Sequence, residues 1–239
     1  MTSRWIPLES NPEVLNKWST KAGLVHLAEF GDVYGLDESL LAMVPQPVNA
    51  VVLLFPISPD SEARRKEEDE EIASKGQPNL DPTILWIKQT ISNACGTMGL
   101  IHAIANSDVT LVPESPLAKF IDQCKDKTPE ERAKLLETTP LFANIHAEAA
   151  TSGQSAVPTA DSNTNLHFTC FVQAPSGRVP GSEDVGMRLV ELDGRRAGPI
   201  DRGECTNLLE DAAKVIKDVY MRDSQSMEFN VMSLGPRAT

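Results

Sequence analysis

Cys95 stands near the start of Ser92 to Asn106 (SNACGTMGLIHAIAN), a segment whose small and apolar residues are spread nearly all round a helical wheel. That is the pattern of a helix buried in the middle of a domain, with Asn93 placed to cap it. In the first turn of such a helix a sulfur faces free amides and the positive end of the dipole. Both favour thiolate over thiol and bring a cysteine pKa from about 8.5 into the range of roughly 3.5 to 7.5. This is a setting for a nucleophile, and Gly96 beside it leaves room for a substrate backbone. The competing reading is an inert core cysteine, the commoner fate of a thiol on an apolar helix.

His167 lies in LHFTCF, where strand alternation puts Leu166, Phe168, Cys170 and Val172 on one face and His167, Thr169 and Phe171 on the other. The imidazole thus leaves the most apolar side and can face a site, although a lone strand histidine is more often structural. Asp193 closes a second strand, Met187 to Asp193, just before Gly194. In an antiparallel hairpin the start of the first strand lies beside the end of the second, whatever the length of the connection. Pairing therefore brings His167 and Asp193 together; without the histidine, Asp193-Gly194 would be an ordinary turn signal. Cysteine, histidine and carboxylate together make a nucleophile, a base and an orienter. Gln89, six residues before Cys95, can turn its amide toward a developing oxyanion, with the Cys95 N–H as second donor. Its alternative is a solvated loop glutamine.

The elements that must hold these residues are legible as hydrophobic patterns. Asn11-Pro12 is a helix start, followed by Val14, Leu15 and Trp18 on one face. Asn49 to Ile57 (NAVVLLFPI) is a continuous apolar run of strand length, as in a strand covered on both faces, so a layered α/β architecture follows. Ser61 to Gly76 (SEARRKEEDEEIASKG) is helix-prone and charge-dense, and predicts a solvated helix face. Leu117 to Ala150 holds two or three helices, one opened by a Thr128/Glu131 capping box. Ala149 to Asn165 is small, polar and aperiodic, a long loop of the functional or disordered kind. Asn207 to Arg222 is an amphipathic helix and Glu228 to Leu234 a closing strand.

Composition narrows the function classes. With 239 residues, 41% of them hydrophobic, the chain supports one core, and residues 1–239 read as a single domain. No apolar run of about 18 residues or secretory leader is visible, so the chain reads as cytoplasmic, with no membrane partner. Acidic residues outnumber basic ones 34 to 22, for a net charge of -12, which repels phosphate backbones and argues against nucleic acid. The four cysteines and four histidines are dispersed, without metal-ligand spacing, so no metal and no cofactor are expected.

The segment WIKQTISNACGTMGLIHAIAN (Trp86 to Asn106) strongly resembles the active-site region of ubiquitin carboxyl-terminal hydrolases. RWIPLESNPEVLNKW at Arg4 to Trp18, LHF at Leu166 to Phe168 and ELDGR at Glu191 to Arg195 resemble further blocks of that family, in family order. The resemblance implies a papain-like α/β/α sandwich with a central antiparallel-rich sheet and a knotted backbone. It implies that Cys95 attacks the carbonyl after the terminal glycine of ubiquitin, that His167 shuttles the proton, that Asp193 holds it and that Gln89 donates to the oxyanion. It implies too that roughly Ala149 to Asn165 crosses over the cleft and favours small or unstructured adducts, and that Pro7 and Leu8 contact ubiquitin. A monomeric, stand-alone short member is expected. Two departures stand out: a longer connection between His167 and Asp193, expected to form a protruding tip, and Val190 where the family usually has tyrosine.

Two other readings compete. A different cysteine acyl-transfer enzyme, such as an arylamine acetyltransferase or a transglutaminase, reuses the same three residue types, but the QTISNACGT run argues against it. A ubiquitin-binding module without catalysis is countered by competent residues at all four positions.

Overall fold

The computed structural model describes residues 4–154, 156, 164–177, 186–222 and 224–237. Helix α1 (Pro12–Ala22) opens where Asn11 accepts hydrogen bonds from the amides of Glu13 and Val14, and it stops at Gly23, whose φ of 115° suits glycine. Strand β1 (Ala28–Asp32), a short helix α2 (Glu38–Leu41), strand β2 (Ala50–Pro56) and helix α3 (Pro59–Lys75) follow. Helix α4 (Cys95–Ala105) precedes three more helices, α5 (Pro116–Cys124), α6 (Pro129–Glu137) and α7 (Pro140–Ala150). Strands β3 (Leu166–Pro175), β4 (Met187–Leu192) and β5 (Ile200–Glu204) lead to α8 (Leu208–Val215), which continues as a π-helical turn over Ile216–Met221. Strand β6 (Asn230–Pro236) comes last.

The strands form one sheet in the order β1-β6-β2-β3-β4-β5, with every neighbouring pair antiparallel. β2 lies inside it, and Ala50 to Leu53 are buried without alternation, which explains the unbroken apolar run. On one face Val52, Phe168, Cys170, Val172 and Met232 pack with residues of α4, α1, α5 and α7. On the other, Val51, Leu53, Phe171 and Val231 pack with Leu208, Leu209 and Ala212 of α8. The result is the expected α/β/α sandwich. No helix among the described residues is long and apolar enough to cross a membrane.

Several sequence-based expectations need correction. The chain between β3 and β4 includes residues 178–185, so the expected tip lies outside the described residues. Of the expected crossover, only 149–154, 156, 164 and 165 lie within them, and the knot, which depends on that path, falls outside as well. β1 (AEFGD) and β5 (IDRGE) were not anticipated, because their glycine and charged residues hide the strand period. His167 does leave the Phe168 face, but the far face is no less apolar: the imidazole is buried against Phe55.

Helix α3 is the largest departure. It has no buried residue, yet it does not simply face water. Arg65 pairs with the buried Asp193, Glu68 with Arg196 and Arg202, Asp69 with Arg196, and Glu62 with Arg195. The charge run docks by ion pairs onto the end of the β4–β5 hairpin.

Candidate active site

Three stretches of chain converge at the amino-terminal end of α4. The first is the segment before the helix. Asn106 fixes its start by donating to the Leu85 carbonyl at 2.9 Å and accepting from the Leu85 amide at 2.7 Å. The Ile87 amide donates to Nε2 of His102 at 3.0 Å; burial lowers that histidine to about 4, so it is a neutral acceptor at physiological pH. The second stretch is Asp193-Gly194, which runs alongside: Trp86 Nε1 donates to the Asp193 carbonyl at 3.0 Å and Gln89 N to the Gly194 carbonyl at 2.8 Å. A Cβ on Gly194 would sit 2.9 Å from Gln89 Cβ and 3.1 Å from Ile87 O, so the close approach requires glycine.

The third stretch is the start of β3. Phe55 of β2 pairs with His167, and Cys170 with Leu192 of β4. Asp193, one residue past β4, therefore reaches diagonally to the histidine, and His167 Nε2 lies 2.8 Å from Asp193 Oδ1. With Nε2 engaged, Nδ1 is the ring nitrogen left for the sulfur.

The electrostatics follow from this packing. Burial opposes ionisation of Cys95, but a hydrogen bond with His167, the imidazolium charge and the Phe168 backbone outweigh it, and the thiol is lowered from its usual 9.0. Burial would also depress His167, yet the Asp193 charge and hydrogen bond, with Cys95, raise it to about 9. Asp193 is fully enclosed, a condition that favours the neutral acid, but His167, Arg65 and the Arg195 amide hold it well below the usual carboxylate range. The shifts favour a thiolate–imidazolium pair backed by a carboxylate. Such a pair can attack a carbonyl and protonate a leaving group.

Gln89 is tied to the turn that opens α4, its Nε2 donating to the Ile91 carbonyl at 3.2 Å. An amide nitrogen has two hydrogens, so one remains. Two details correct the expectations around the helix start. Asn93 does not cap α4: Ala94 is the capping position, and Asn93 has a φ of 62° and donates from Nδ2 to the Trp5 carbonyl at 3.0 Å. Gly96 faces not open space but Leu8, since a Cβ there would lie 2.9 Å from Leu8 Cδ1.

Leu8 is buried and Pro7 half-buried, within an amino-terminal strap that lies over the helix start. The Trp5 amide donates to the Ser92 carbonyl at 3.0 Å, and His146 of α7 bonds Ile6 O through Nε2 and Thr97 through Nδ1. Cys95 beneath it is 8% exposed.

Residues 5–221 match the family model described as ubiquitin carboxyl-terminal hydrolase, family 1. The chain belongs to this family. It is 41% identical over 241 residues to ubiquitin carboxyl-terminal hydrolase 3 of Arabidopsis thaliana, with 99% of this chain and 96% of that protein covered. It is 38% identical over 232 residues to isozyme L1 of Rattus norvegicus, with 95% and 96% covered. Among solved structures, the Trichinella spiralis UCH37 catalytic domain bound to ubiquitin vinyl methyl ester superposes with a TM-score of 0.71 at 21% identity, covering 99% of this chain and 97% of that one.

In this hydrolase-family chain, Val190 is fully buried in the layer beneath α4. Sequence reasoning missed Arg65, Thr97 and His146. Arg65 had a signal: Glu62, Arg65 and Glu68-Asp69 recur at helical spacing on one face, a charged stripe that could dock on charge. Thr97 and His146 had none, since their meeting depends on how α7 packs.

Proposed function

We propose that the chain is a cysteine-type ubiquitin carboxyl-terminal hydrolase. Cys95 is its nucleophile, His167 the acid and base, Asp193 the orienter and Gln89 an oxyanion donor. The observation that carries this reading is the buried His167–Asp193 pair at the amino-terminal end of α4, with the imidazole lowering the Cys95 thiol. The Cys95 thiolate attacks the carbonyl carbon of the terminal glycine, and the free hydrogen of Gln89 Nε2 and the Cys95 N–H meet the oxyanion. As the C–N bond breaks, the imidazolium gives its Nδ1 proton to the leaving amine and a thioester remains. Water then attacks the thioester, His167 takes one of its protons, the C–S bond breaks to restore the thiolate–imidazolium pair, and the carboxylic acid departs and gives its remaining proton to solvent.

The adducts removed are small or unstructured ones, and Pro7 and Leu8 at the strap form part of the ubiquitin contact. The acidic chain suits the basic tail of ubiquitin and works as a monomeric, single-domain cytoplasmic enzyme of ubiquitin-dependent catabolism, without nucleic acid or membrane. The test is release of a fluorogenic amide from the carboxyl terminus of ubiquitin. Release by the parent and none by Cys95→Ala is expected. Release by both would remove Cys95 from the mechanism, and release by neither would leave a binding module. Efficient cleavage of folded di-ubiquitin would overturn the restriction on adduct size.

A further inference from the structure

Asp193 has two carboxylate oxygens, and one of them serves His167. Oδ1 accepts from His167 Nε2 and from the Arg195 amide, each at 2.8 Å, whereas Oδ2 accepts from Arg65 Nη2. The Arg65 side chain is 11% exposed and that of Asp193 is fully enclosed, so water is poorly placed to replace the guanidinium. A carboxylate held by one oxygen can turn about its Cβ–Cγ bond and lose its alignment with the imidazole. We propose that Arg65 is a positioning residue of the catalytic pair, holding Asp193 Oδ2 so that Oδ1 stays on His167. This rests on the reading of His167 as the base.

A second contact supports it. The Arg65 guanidinium carbon lies 5.2 Å from the centroid of the Phe55 ring, and the His167 ring meets that same ring at 5.7 Å and 85°. Arg65 therefore braces both partners of the imidazole, the carboxylate directly and the ring through Phe55. Its own placement comes from Glu62, which accepts from Arg65 Nη1 at 2.9 Å and from Arg195 Nη2 at 2.6 Å. The other charged groups nearby satisfy one another. Glu191 of β4 accepts from Tyr220 Oη at 2.5 Å and Arg202 Nε at 2.7 Å, which leaves Asp193 to Arg65. From α4, Cys95 faces the imidazole and His102 is neutral.

A cavity of about 280 Å³ lined by Phe55, Arg65, Arg202 and Tyr220 adjoins the guanidinium. It gives a small cation a path to the place that a shortened side chain would vacate. Arg65→Ala and Arg65→Lys should be compared with the parent by ¹⁵N NMR titration of His167, by the iodoacetamide alkylation rate of Cys95, and by kcat and KM on fluorogenic ubiquitin. For Arg65→Ala the His167 titration should move down by about one pH unit and kcat should fall about tenfold with KM unchanged. Sub-denaturing guanidinium chloride should restore kcat where urea does not, and Arg65→Lys should recover most of the loss. An unchanged or raised titration, a change in melting temperature alone, equal effects of guanidinium and urea, or a lysine variant no better than alanine would each overturn the proposal. If the alanine variant does not fold, Arg65→Gln, which keeps donors without charge, carries the same readouts. Titration and alkylation need no ubiquitin, so a shifted titration in a protein that cleaves no ubiquitin would sink the functional reading and leave this one standing.

Discussion

The ionised pair couples chemistry to stability at the level of single residues. His167 is raised from 6.5 to about 9, so its contribution to stability is complete below about 6.5 and is lost as pH rises through 9. Asp193 is depressed from 3.8, so its contribution is present above that value and is lost as pH falls through the lower folded-state value. Both contributions are therefore complete between about 4 and 6.5. In melting-temperature scans across pH, the advantage of the parent over His167→Gln should be greatest in that window and shrink toward pH 9. A constant difference would count against the ionised pair. Gln89 acts on the transition state and little on the ground state, so Gln89→Ala should lower kcat about 10²- to 10³-fold. Ubiquitin affinity, read by calorimetry on a Cys95→Ala background, should hardly change.

Among the elements, the alignment of residues 85–89 with the Asp193-Gly194 turn decides where the oxyanion donor sits. Gly194→Ala forces a Cβ to within 2.9 Å of Gln89 Cβ, and a shift of a few tenths of an ångström in the donor segment is expected to lower kcat about tenfold or more. Turnover by Gly194→Ala at the parent rate would show that the segment has slack. How much of this was legible in the sequence depended on whether an element announces itself by apolar period. β2, α4 and the β3–β4 hairpin did, and they carry Cys95, His167 and Asp193 to one place. Residues α3 and β5 contribute are charged or interrupted by glycine, so the pattern gave a solvated face and no strand. Their ion pairs join residues as distant in sequence as Arg65 and Asp193, and local patterning has no access to such pairs. Asn93 failed as a cap because its side chain is drawn to Trp5, another long-range contact.

For the whole molecule, the net charge of -12 sets the long-range field that an approaching basic tail would feel. Raising salt should therefore lower kcat/KM on ubiquitin substrates while leaving kcat nearly constant, because screening acts on encounter and not on the enclosed pair. A fall in kcat alone would instead point to loosening of the ion-paired α3. The core also sorts the thiols. Burial raises Cys124 to about 11, Cys205 to about 12 and Cys170 higher still, while Cys95 is lowered. Under brief exposure to a thiol reagent at neutral pH, intact-mass spectrometry should find a single adduct, on Cys95. The native protein thereby provides its own active-site titrant: moles of label per mole of chain report the fraction of a preparation that is correctly folded, and any spectroscopic probe attached this way marks the catalytic centre without removal of the other three cysteines.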